Sequence, residues 1–168
     1  MLFTADPVLA SEPLLELRRL RAAQAWTLMA VSAFSIALGV ALIRATGNDA
    51  RATFTHAVGW QFVIWGAIDA IFATMGVVQS IGTARRPIVA QTEADEFAAG
   101  EKLLRSLQFN HRLNIAYLVT AALLLAWAVV LKSPSLAGHG AGVLLQGGFL
   151  FVFDLIYIGR YARLMGTP

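Results

Sequence analysis

The sequence predicts an all-α fold: a four-helix transmembrane bundle, with a cytoplasmic helix extending the third span. Three observations carry this. Of 168 residues, 58% are hydrophobic and only 14% are charged, against about 45–50% and about 25% in soluble domains. Four apolar stretches each reach the roughly 20 helical residues needed to cross a hydrocarbon core about 30 Å thick. Basic residues fall mostly on one side of those stretches. The whole of 1–168 reads as a single integral membrane domain, with mean hydropathy +0.66. A soluble enzyme, a disordered chain and a nucleic-acid binder do not fit this composition. With no cysteine, disulfides, thiolate metal sites and thiol chemistry are excluded together.

The first span, about 22–43, has no charge. It is too long for the apolar core of a cleaved signal peptide and is read as retained. The second, about 57–81, carries one charge, Asp69. The third, about 113–131, has none, and the fourth, about 141–159, has Asp154. Alternation at period two is absent, which argues against a barrel.

Before the first span, Ser11-Glu12-Pro13 has the residues of a helix start. Leu14, Leu15, Leu17 and Leu20 would lie among headgroups while Arg18, Arg19 and Arg21 face phosphates. Between the middle spans, segment 82–112 is expected to be cytoplasmic. Thr92-Glu93-Ala94-Asp95 has the spacing of a capping box, and Phe97, Leu104, Leu107 and His111 fall on one helical stripe. The acids Glu93, Asp95 and Glu96 are read as a solvated helix start rather than a metal site. Thr46-Gly47-Asn48-Asp49 reads as a turn. Ser133-Pro134-Ser135 and Gly138-His139-Gly140 read as the last linker.

An even number of spans puts both termini on one side. The termini and middle segment carry ten lysines and arginines, and the two hairpin loops carry three. By the positive-inside rule the N- and C-termini are cytoplasmic. The expected partners are the lipid bilayer and, on the cytoplasmic side, anionic lipid headgroups; no nucleic acid is expected. The expected location is a bacterial inner membrane.

A shift of 85 residues lays Gln61 on Gln146, Asp69 on Asp154 and Phe72 on Tyr157. Duplication of a two-helix hairpin would give two parallel repeats; chance in so apolar a chain also accounts for the match.

The acids are the costliest residues here. A carboxylate at the bilayer centre costs about 2.5–3.5 kcal/mol on insertion scales. Asp69 sits at the middle of its span, and no lysine or arginine lies inside any span. Both aspartates should therefore face the bundle interior. Asn114 and Tyr117 lie near the level of Asp154, Ser32 and Ser35 near that of Asp69, and Gln61 and Gln146 two turns before the acids. Together Asp69, Asp154, Gln61, Gln146, Asn114 and Tyr117 form a candidate interior polar site for a proton, ion or small ligand. The competing reading is interhelical hydrogen bonding, favoured for the glutamines and Asn114. Gly66, Ala70, Ala73, Gly142, Gly147 and Gly148 suit close helix approach. His56 and His139 share one side, but neither metal nor cofactor is expected. No catalytic triad, phosphate loop or zinc motif appears, so catalysis is not expected. A path through so small a bundle would require a homo-oligomer; a structural or accessory subunit is the alternative.

The run Gly140–Asp154 (GAGVLLQGGFLFVFD) resembles the last-helix signature of an uncharacterised family of bacterial four-helix membrane proteins. Trp60-Gln61 with Trp65-Gly66-Ala67-Ile68-Asp69, and Glu101-Lys102-Leu103-Leu104 ahead of Asn110 and Asn114, resemble its earlier motifs. The resemblance spans roughly residues 20–160. It implies architecture and no activity.

Overall fold

The computed structural model describes residues 11–47, 49, 52–85 and 90–166, with side chains in the last stretch from residue 93. These form four helices: α1 (Glu12–Thr46), α2 (Thr53–Ala84), α3 (Ala90–Leu131) and α4 (Pro134–Met165). Each is long and apolar enough to cross a membrane. Large apolar side chains such as Phe34, Ile71, Trp127 and Val129 point outward, as a lipid solvent requires.

The helices outrun the spans. The basic segment before the first span and that span are one helix, and the amphipathic segment after residue 90 runs unbroken into the third span. Gly47 ends α1 at φ 48°, with its N–H on the Ile43 carbonyl. Positive φ there favours glycine. Two expected boundaries move. The last linker is shorter, because Ser133 caps α4, accepting from the Leu136 N–H at 3.3 Å, and Pro134 occupies the first helical position. Gly138, His139 and Gly140 are therefore helical. The expected capping box at Thr92 is displaced, because α3 already begins at Ala90; the Thr92 side chain lies outside the described residues, as do Asn48, Arg51, Arg86 and Pro87.

Consecutive helices form two antiparallel hairpins. Gly39 faces Gly59, Gly66 faces Ser35 and Ile36, and Gly76 faces Ala25. Residue numbers thus fall on α1 as they rise on α2. Between α3 and α4, Gly140 meets Leu125 and Gly147 meets Tyr117 and Leu118. The hairpins join through α2 and α4, where Gly138 packs on Phe54 and Ala57, and Gly142 on Gln61. A Cβ on Gly39 would stand 2.6 Å from the Gly59 carbonyl oxygen, and one on Gly142 2.5 Å from the Gln61 Cβ. Close backbone approach holds such a bundle together, since lipid removes the hydrophobic drive between spans.

At the end bearing the termini, a core forms from Leu17, Leu104, Leu107, Phe153, Tyr157 and Tyr161. Leu14 and Leu17 are fully buried. The leucines therefore do not lie among headgroups as a set: the extended part of α3 supplies a protein partner first.

Candidate functional site

α2 and α3 scarcely touch. Between them lies a cavity of about 880 Å³, completed by α1 and α4. Asp69, Asp154, Asn114 and Tyr117 all line it. Gln61 and Gln146 do not. The Gln61 amide nitrogen meets His139 Nδ1 at 2.8 Å, and its oxygen accepts from Trp65 Nε1 at 3.1 Å. The Gln146 amide donates to Ser35 Oγ at 3.1 Å. Both glutamines are interhelical ties. Ser35 accepts that bond and Ser32 donates to the Leu28 carbonyl of its own helix; among the described residues neither serine bonds to Asp69. Back-bonding to the fourth residue before is the usual outlet for a serine inside a helix.

The two acids differ in their partners. The Asn114 amide donates to Asp154 Oδ2 at 2.9 Å, both groups being buried. Asp69 is 7% exposed, and among the described residues no side chain or backbone group hydrogen-bonds to its carboxyl. Aromatic rings stand in the same chamber: Trp65 meets Tyr117 edge to face, with centroids 4.9 Å apart.

The seam between α1 and α4 explains why the cavity lies where it does. There Tyr161 donates to Gln24 Oε1 at 2.9 Å, Tyr157 reaches Thr27 Oγ1 at 3.4 Å, and Gln146 reaches Ser35. At the 85-residue shift, Tyr157 and Tyr161 correspond to Phe72 and Gly76. A hydroxyl that ties one seam is absent from the other, and a whole side chain is absent beside it. Phe72 and Gly76 both line the open chamber.

Polar residues outside the candidate set continue the cavity towards the terminal end. Arg21, Gln24, Gln79, Asp95, Glu96 and Asn110 line it. Asn110 is readable in hindsight, four residues before Asn114 on the same helical face. Arg21 is a correction: it does not project to the headgroups. Its guanidinium donates to the Glu96 carbonyl at 3.0 Å, and its Nε is buried with no partner among the described residues. Arg21 lies before the span, and burial pushes its pKa below the ordinary arginine value.

Glu96 is a second correction. It is buried rather than solvated, and Arg18 grips it through Nε at 3.0 Å and Nη2 at 2.5 Å. That two-point contact holds Arg18 above its ordinary pKa, by the hydrogen bond first and then by the charge of Glu96. Ser11 Oγ donates to Glu93 instead of capping α1. The acids at the start of α3 therefore clamp it to α1. Among the described residues no group of acids and histidines has metal-site geometry.

The histidines are engaged separately. His56 accepts from Trp60 Nε1 at 3.1 Å and meets Thr46 Oγ1 at 3.1 Å; His139 meets Gln61. His111 stacks on Phe151 with centroids 4.4 Å apart.

Four membrane-spanning helices around a shared interior chamber define a small polytopic membrane protein. The chain belongs to a family of unknown function, DUF6992, whose model matches residues 27–155. That match covers most of the first span, both acids and the Asn114–Asp154 contact. No curated protein and no solved structure matches the chain.

Proposed function

We propose that this membrane protein binds, and passes between the cavity and the solvent at its terminal end, a proton, an ion or a small ligand held at Asp69 and Asp154. One observation carries this reading: Asp69 is buried on an interior chamber with no hydrogen bond to its carboxyl among the described residues. An acid kept at that cost for packing alone would be tied to a neighbouring helix, as Asp154 is tied to Asn114. Asn114 and Tyr117 belong to the site, and Gln61 and Gln146 support its walls.

The basic bias favours termini on the cytoplasmic side, and the arginine- and alanine-rich composition suits a bacterial inner membrane. A groove lined by Arg19, Arg160 and Arg163, with Glu16 among them, suits anionic lipid headgroups. A path across the membrane through so small a bundle would need a homo-oligomer.

The test uses Asp69→Asn and Asp154→Asn, which keep shape and hydrogen bonding while removing titration. In proteoliposomes and in thermal-shift screens against pH, metabolites and lipids, the variants should fold and lose uptake, pH response or ligand stabilisation. Variants matching the wild type in all three defeat the reading.

A structural or accessory subunit is the second reading. The interhelical bonds Gln146–Ser35, Gln61–His139 and Asn114–Asp154 favour it, because each has the form of a tie between spans.

A further inference from the structure

We propose that the ligand of the cavity is a lipophilic monocation, such as an amphiphilic amine or quaternary ammonium, with its charge against Asp69 and its apolar part leaving between α2 and α3. This rests on the interior-site reading above and adds the class of ligand.

Charge comes first. Within the chamber Asp154 has one oxygen satisfied by Asn114, whereas Asp69 has no hydrogen-bonding partner among the described residues. The lining cation, Arg21, stands before the first span and bonds the Glu96 carbonyl near the terminal end. Neither acid has a counter-charge inside the spans, and among the described residues Asp69 lacks a hydrogen bond as well, a lack that a low-dielectric wall makes costly. At Asp69 a single positive charge on the ligand supplies the missing partner.

Ring chemistry agrees. Trp65, Tyr117 and Phe72 line the chamber with Asp69, and aromatic faces attract ammonium groups. A volume of about 880 Å³ lies within the usual range of small-molecule sites.

The route follows from the rim. Ile68, Phe72 and Met75 line the cavity and also present exposed apolar surface. The gap between α2 and α3 therefore opens at the level of the apolar belt. A molecule entering there arrives from lipid and keeps an apolar body in contact with it.

The experiment places the full chain in nanodiscs of zwitterionic lipid and titrates three probes of similar shape: tetraphenylphosphonium, tetraphenylborate and neutral triphenylphosphine oxide. Empty discs supply the background. The wild type should bind the cation saturably at one per chain, at least tenfold more tightly than either other probe. Asp69→Asn should weaken the cation at least tenfold. Leu113→Trp, which fills the cavity from α3, should weaken it without changing charge. The comparison of probes on the wild type depends on no variant. Absence of saturable cation binding overturns the proposal. So does equal binding of the anion or neutral probe, or an unchanged affinity in folded Asp69→Asn. If the anion binds and Leu113→Trp abolishes it, the cation assignment falls while the interior site stands. If Asp69→Asn and Asp154→Asn also leave uptake, pH response and stabilisation intact, the site falls as well.

Discussion

Replacing Glu96 by glutamine should loosen the extended end of α3 from α1 while leaving the spans assembled. Glu96 receives two hydrogen bonds from Arg18, at 3.0 and 2.5 Å, and the two side chains retain only 6% and 14% exposure. Removing one partner of a fully buried ion pair costs about 3–5 kcal/mol, chiefly because the other charge is stranded. Arg18 keeps some water contact, so about 2–3 kcal/mol is expected here, between that limit and the roughly 0–1 kcal/mol of a surface pair. The molecule supplies its own control. Glu101 and Arg105 form the same kind of pair four residues apart, but at 3.6 Å and with 57% and 68% exposure. Glu101→Gln should cost less than about 0.5 kcal/mol. The assay is unfolding in mixed micelles, followed by far-ultraviolet circular dichroism, with amide exchange over 93–110 to localise the loss. Exchange should rise at the start of α3 in Glu96→Gln and not in Glu101→Gln. A double-mutant cycle with Arg18→Gln should recover most of the loss as coupling. Equal effects at 96 and 101, or a coupling near zero, would refute the claim that burial sets the strength of this clamp.

Gly39→Leu should separate α1 from α2, since even a Cβ would meet the Gly59 carbonyl at 2.6 Å; crowding of this kind costs about 1–3 kcal/mol or more. Gly148→Leu, with nothing within 4 Å of its Cβ, should be tolerated, and equal thermal stabilities for the two would contradict the packing described. Gln146→Leu removes the tie to Ser35 and should cost about 0.6–1.7 kcal/mol, read as a shift in the same unfolding curve; an unchanged midpoint would count against the tie. Because Glu96 raises the pKa of Arg18, the contribution of Arg18 is complete below the ordinary arginine value and lost only as pH climbs through the raised one. The Arg18–Glu96 coupling should therefore stay flat from about pH 7 to 10, and an alkaline decline there would contradict it. With no native cysteine, Lys132→Cys and Glu101→Cys report orientation directly. An impermeant maleimide should reach the first from outside intact cells and the second only after permeabilisation; the reverse pattern would invert the proposed topology.

Composition and span length determined that this chain crosses a membrane four times, because the cost of leaving apolar side chains in water or charges in lipid can be summed residue by residue. Asp69 and Asp154 announced themselves for the same reason. Depth was legible too: Asn114 fell where it could meet Asp154. Direction around each helix was not. Nearly all-apolar spans carry little of the polar face that orients a soluble helix, so the sequence grouped Gln61 and Gln146 with the acids while favouring ties between helices for them, and only the packing names the partners, His139 and Ser35. Arg21 and Glu96 were misplaced because a charged residue outside a span defaults to water or headgroups until another helix covers it. Only the tertiary packing supplied that cover, bringing the start of α3 onto α1. It also decided which seam stays open. Tyr157 and Tyr161 tie α4 to α1 with hydroxyls, and Phe72 and Gly76, 85 residues earlier on α2, offer α3 none.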